Sequence, residues 1–191
     1  MKYYLQLTIT LLIFCAVGSG ILAFVNAKTA PVIAERKLAE SIAAREALMP
    51  QADFERHTAK ADSTFEYYVA YNKGTKEIKG FTFIASQNGY AAPVKTMVGI
   101  DKDMKVTSIN VVEQNETPGL GTNSTQPFFT DQFKGKPEAE LQVDKDGGKI
   151  KALSGATITS RAVTNSIRTG IAVLRKDLET DSNAAKTGAE K

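Results

Sequence analysis

The sequence predicts an α+β domain, an antiparallel sheet flanked by helices, preceded by one N-terminal transmembrane helix. Three observations predict it. From Tyr3 to Ala27 no residue is charged and most are apolar. Between Phe65 and Val112 apolar residues fall into short runs separated by turn residues, as in an antiparallel meander. From Val163 through Ile167, Ile171 and Leu174 to Leu178, apolar residues recur three or four apart, the period of an amphipathic helix. Helices at both ends of a mostly antiparallel sheet make an α+β architecture.

As a helix, the first run would extend roughly 37 Å, enough to cross a hydrocarbon core about 30 Å thick. Tyr3 and Tyr4 suit a membrane interface, and Lys2 and Lys28 bracket the run. Val25 and Ala27 fit a signal-peptide cleavage site, but a signal's apolar region is only about 7–15 residues long. The run therefore reads as a retained anchor over residues 1–28. Ala16 and Gly20 stand four apart, a spacing that lets a second membrane helix approach. Residues 29–50 read as a linker or stalk helix, with Pro31 in its first turn and Pro50 beyond its end.

The domain proper is expected over residues 51–179. Its strands are placed at 65–71, 78–84, 93–100 and 106–112, separated by Asn72-Lys73-Gly74, Asn88-Gly89 and Asp101-Lys102-Asp103. A further hairpin is expected from 141–143 and 149–153 around Asp144 to Gly148. Residues 180–191, polar and without periodicity, are expected to form a disordered tail.

Composition narrows the chemistry. A net charge of +3, with no block of Lys and Arg, gives no footprint for nucleic acid. The single cysteine, Cys15, lies in the apolar run, which excludes disulfides, Cys-ligated iron–sulfur clusters and multi-thiolate zinc within the chain. One histidine, His57, excludes a His-rich metal site, and its polar neighbours predict a solvated ring. No catalytic or metal-ligating constellation is found. Electron handling by such a chain would need an organic cofactor.

Two stretches carry the functional expectation. In Ser154-Gly155-Ala156-Thr157-Ile158-Thr159-Ser160, small residues lead into a Thr at the start of the last helix. Ser154 is the expected N-cap, and free amides near Thr157 would favour a phosphate. In Glu116-Thr117-Pro118-Gly119-Leu120-Gly121, Pro118 and Gly119 suit the centre of a type II turn. Gly119 and Gly121 would let backbone approach a flat ligand, Leu120 would cap it, and the Thr117 hydroxyl could hydrogen-bond to it.

The first stretch resembles the flavinylation motif of the FMN-binding domain family, Ser/Thr-Gly-Ala-Thr, and the second is the hexapeptide that members carry against the isoalloxazine ring. Together with the membrane helix and the length, the chain from residue 3 to about residue 178 resembles the G-subunit family of Rnf-type ion-translocating electron transport complexes. The resemblance implies FMN joined to Thr157 by a phosphoester, with Ser154, Gly155 and Ala156 framing it and Thr117, Gly119 and Leu120 at the ring. It implies an electron carrier among membrane subunits, matured by a separate flavin transferase that uses FAD and Mg²⁺, since the sequence near Thr157 offers neither His nor carboxylate. One departure stands at Lys151, where the family often has Asp.

Two alternatives remain: a component like the C subunit of the sodium-translocating NADH:quinone reductase, and a membrane-anchored binding or structural protein without cofactor. Topology is contested within the sequence. Lys28, Arg36 and Lys37 follow the span and only Lys2 precedes it, which favours a cytoplasmic domain. The resemblance implies a single pass through the cell (inner) membrane with the domain on the extracytoplasmic side, and this is the expectation adopted.

Overall fold

The computed structural model describes residues 1–60 and 63–188. The chain divides into two compact units, Met1–Ile42 and Ala43–Lys191.

The first unit is helical from Lys2 onward. It belongs to α1, Lys2–Leu48, a single helix that takes in both stretches the sequence divides into anchor and stalk. Pro31 has no amide to give the carbonyl one turn back. The neighbouring Thr29 hydroxyl donates to the Val25 carbonyl at 3.0 Å, and the helix passes through without a break. The N-terminal part is long and apolar enough to cross a membrane, and none of that stretch is buried against the rest of the chain. Its apolar side chains, from Leu5 to Val25, face outward, as lipid would require.

The second unit is built on a five-stranded antiparallel sheet in the order β1-β2-β3-β4-β5. The strands are β1 (Ala52–Thr58), β2 (Glu66–Asn72), β3 (Ile78–Asn88), β4 (Pro93–Asp101) and β5 (Val106–Glu113). The four expected strands are all present. β1 is the one the pattern misses: it is an edge strand, mostly exposed, and Glu55 and Arg56 interrupt its alternation. Its His57 is not simply solvated, because the ring stacks on Tyr67 across the register, centroids 5.6 Å apart.

The helix α3, Thr157–Gly188, lies across β3 and β4. Val163, Ile167, Ile171 and Leu174 form its buried stripe, against Phe81, Phe83, Val98 and Ile100 of the sheet. Each such side chain taken from water contributes about 1.5–3 kcal/mol to stability. Close approach is allowed by Gly170, where a Cβ would lie 2.2 Å from Phe83 Cε2. On the other face of the sheet, the end of α1 supplies Leu48, and Met49 follows, packing over Gly80 and Gly99. The Arg45 guanidinium there lies 3.4 Å from the centroid of Tyr68.

A long crossover joins β5 to α3. It contains a 3₁₀ turn at Gly121–Thr125, the short α2 (Pro127–Thr130) and three further 3₁₀ turns. Phe129, Phe133, Leu141 and Ile150 anchor it in the core. The expected hairpin at 141–153 does not form. Val143 and Ile150 pair in parallel instead, through Asp144 N–H to Ile150 O at 2.7 Å and Ile150 N–H to Gln142 O at 3.0 Å. Burial decides this: Leu141, Val143 and Ile150 all enter the core, which a two-stranded surface ribbon would not allow. At the other end, α3 continues through 180–188, where a disordered tail is expected. That stretch contains no proline and no glycine before Gly188. The rest of the expected tail, 189–191, lies outside the described residues.

Candidate functional site

The two sequence motifs meet at the N-terminus of α3. The first makes the turn its residues predict: Leu120 N–H donates to Thr117 O at 3.1 Å, with Pro118 and Gly119 between and Gly119 at φ +76°. Side chains from the following 3₁₀ turn stiffen it. Thr122 Oγ accepts from Gly119 N–H at 3.0 Å, and Asn123 Nδ2 donates to Gly119 O at 2.8 Å.

The second motif also makes a turn, and here the structure corrects the expected cap. Ala156 N–H donates to Leu153 O at 3.0 Å, with Ser154 and Gly155 at the centre and Gly155 at φ +72°. The first helical bond runs from Ser160 N–H to Ala156 O, so Ala156, not Ser154, stands at the cap. The hydroxyl that secures this end is Ser160, which accepts from Leu153 N–H at 2.9 Å and donates to Ala156 O at 3.0 Å. An exposed Ser before a helical period suggests capping, but the left-handed glycine after it ends that possibility.

Between the two turns lies a cavity of about 540 Å³, lined by Tyr90, Glu116, Thr117, Leu120, Gly121 and the run from Gly155 to Thr159. Five of the expected site residues share it: Thr117, Leu120, Gly155, Ala156 and Thr157. Ser154 and Gly119 do not. They line a second cavity of about 570 Å³ with Phe128, Gln132 and Lys151, and Leu120 forms a wall of both. Lys151 is tied at its backbone: its N–H donates to Gln132 Oε1 at 2.7 Å, and Gln132 Nε2 donates to its carbonyl at 3.3 Å.

The threonines near the helix start differ in what their hydroxyls do. Thr164 is fully buried and donates to Ser160 O at 2.8 Å. Thr159 is 1% exposed and donates to Glu116 Oε2 at 2.5 Å. Thr157 is half-buried at the cavity wall, and its hydroxyl has no partner among the described residues.

Glu116 heads the hexapeptide, but the sequence reading gives its side chain no role; the fold places this carboxylate in the wall of the cavity that Thr157 also lines. Glu116 is 43 positions away from Thr159 in the chain, a separation that no local motif bridges. Only 6% exposed, it also accepts from Ala91 N–H at 3.0 Å and from Tyr90 N–H at 3.3 Å. Burial pushes its carboxyl up, but the bonds from Thr159 and the amides of Ala91, Tyr90 and Ala92 outweigh this and hold it below the usual carboxylate range. It is therefore ionised at neutral pH. Gly89 and Gly121 make room for it, since a Cβ on either would lie 2.6 Å from an atom of its side chain.

A bidentate pair holds the first turn of α3 from outside. Arg161 Nε and Nη2 donate to Asp146 Oδ2 and Oδ1 at 2.8 and 2.6 Å. The hydrogen bond and charge of Arg161 lower the Asp146 carboxyl below its ordinary range.

Residues 89–172 match the FMN-binding domain family. The G subunit of the Na(+)-translocating ferredoxin:NAD(+) oxidoreductase complex of Acetobacterium woodii is 33% identical over 193 aligned residues, covering 90% of this chain and 92% of that protein. The G subunit of the proton-translocating ferredoxin:NAD(+) oxidoreductase complex of Clostridium ljungdahlii is 34% identical, covering 86% of this chain and 88% of that one. Among solved structures, the C subunit of the Na(+)-translocating NADH-quinone reductase from Parabacteroides distasonis has a similar fold. Its TM-score is 0.50 at 24% identity, over 60% of this chain and 62% of that chain. At the identity and coverage of these G-subunit relatives, the chain belongs to the G-subunit family of the ion-translocating oxidoreductase complexes, with an FMN-binding domain matched at residues 89–172.

Proposed function

We propose that this chain is an electron-carrier subunit of a membrane-bound, ion-translocating oxidoreductase complex, carrying FMN through a phosphoester to Thr157. One observation carries the attachment: of Thr157, Thr159 and Thr164, only Thr157 presents a cavity-lining hydroxyl without a hydrogen-bond partner among the described residues. The site suits the group. A cavity of about 540 Å³ is within the usual size of ligand sites. Tyr90, Leu120 and Ile158 offer apolar surface, and Gly121 and Gly155 bring backbone to its edge. The amides of Thr157, Ile158 and Thr159 precede the first helical bond, and such a helix end would favour a phosphate esterified at Thr157.

FMN, when bound, supplies the redox chemistry. The chain's residues hold and surround it. Attachment at a helix end keeps the ring at high effective concentration beside its walls. A Thr hydroxyl needs a base to become a nucleophile, and the one carboxylate lining this cavity is already engaged by Thr159 and the turn amides. Maturation therefore falls to a separate flavin transferase, drawing on FAD and Mg²⁺. The partners are the other membrane subunits of the complex, reached from a single-pass anchor with the domain on the extracytoplasmic side. The fold likeness to the C subunit of the NADH-quinone reductase keeps a component of that kind as the second reading.

The test is the colour of the full chain purified after co-expression with a flavin transferase. Yellow colour that survives denaturation, maps to the peptide containing Thr157 and is lost in Thr157→Ala supports the proposal. A colourless protein would favour an anchored binding protein without cofactor, and flavin mapped to Thr159 or Thr164 would overturn the acceptor.

A further inference from the structure

The charge of Glu116 has no use in the function just described. Its partners among the described residues are neutral donors, a hydroxyl and backbone amides, rather than a cation. A buried carboxylate without a counter-charge is costly, and here it is met only by donors at both oxygens: Oε2 accepts from Thr159 and Tyr90, and Oε1 accepts from Ala91. At 6% exposure and walled by Gly89 and Gly121, the charge is screened less than one on the surface. It lies in the wall of the cavity that also holds Thr157 and Leu120.

We propose that Glu116 sets the reduction potential of the flavin, by fixing a negative charge in the wall of the cavity that holds the ring. This rests on the functional reading above. Adding electrons to a group beside an immobile negative charge costs free energy, and the cost is larger where water is excluded. The carboxylate therefore favours the oxidised ring and lowers its potential. Thr159 and the amides of Tyr90 and Ala91 serve this by keeping the group ionised and still. Both Thr159 and Glu116 are thereby given a part in one site: the hydroxyl two residues beyond the attachment point holds the charge.

The experiment is a redox titration of the flavin in the full-length chain, matured with a flavin transferase, as wild type, Glu116→Gln and Glu116→Asp. The Gln variant keeps the size, loses the charge and gives up one of the two acceptor oxygens; the Asp variant keeps the charge and both acceptors at a slightly shorter reach. The expected result is full flavin loading in all three, a more positive midpoint potential in Glu116→Gln, and an Asp variant close to wild type. A Gln variant with unchanged potential overturns the proposal. So does an Asp variant shifted as far as Gln, or loss of flavin from either variant, since each would make Glu116 a support of shape alone. A wild-type chain without flavin would strike instead at the functional reading beneath it.

Discussion

Leu120 rests on Gly155: a Cβ at position 155 would lie 3.0 Å from Leu120 Cδ2. Two turns that are 35 residues apart in the chain touch here, and both residues line the cavity. Gly155→Ala therefore combines a side chain at φ +72° with a displaced Leu120. It should lower stability by about 1 kcal/mol or more, read as a lower urea midpoint. Adding Leu120→Ala should recover part of that loss and not all, because the backbone strain stays. Leu120→Ala alone should leave flavin attached and change its fluorescence. Unchanged fluorescence would remove Leu120 from the ring's surroundings.

Gly170 is a point of close approach between α3 and the sheet. With Phe83 at 2.2 Å from a Cβ, Gly170→Ala must push an aromatic ring that is 1% exposed. A loss of about 1–3 kcal/mol is expected in chemical denaturation. Gly170→Ala with Phe83→Leu should be more stable than Gly170→Ala alone, and an equal loss in both would show that the contact is not the cause.

Thr159→Val removes the shortest bond to Glu116 and leaves the side chain volume almost unchanged. The Glu116 carboxyl is depressed in the folded state, so its contribution to stability is present above the unfolded value, about 4.3, and is lost as pH falls through the folded value. Removing a bond to a charged group costs about 1.5–3 kcal/mol. The variant should therefore lose stability at pH 7 and show a smaller decline on acidification. A parallel shift at every pH would mean that Glu116 is not the group affected.

The side of the membrane is open to labelling. Lys76 lies exposed in the β2–β3 turn, and Lys76→Cys in intact cells should react with a membrane-impermeant maleimide. Cys15, within the apolar stretch, should stay silent. Labelling only after lysis would place the domain in the cytoplasm, in agreement with the charges that follow the span.

Strands β2 to β5 were legible because each is a short apolar run bounded by turn residues, as β4 is between Asn88-Gly89 and Asp101-Lys102-Asp103. The turn at Pro118-Gly119 was legible for a local reason, since Pro sets one dihedral and Gly permits the next. β1 was hidden because none of its residues is fully buried and Glu55 and Arg56 stand side by side in it. The hairpin at 141–153 was misread because Leu141, Val143 and Ile150 look like strand residues but are buried by the crossover. Glu116 was out of reach for another reason: its meaning comes from Thr159, Ala91 and Tyr90, which only the tertiary fold brings to it.

The Glu116–Thr159 bond also bears on selectivity among hydroxyls. Thr157 and Thr159 are separated by one residue and are chemically alike, so an enzyme that modified threonine by type alone would have to choose between them. Under the proposed attachment at Thr157, the fold would make that choice beforehand. One hydroxyl proton is committed to a carboxylate in the interior, and its neighbour is left available at the cavity wall. Replacing Glu116 by a residue that cannot accept would release a second candidate, and fidelity at Thr157 would then depend on the modifying enzyme rather than on this chain.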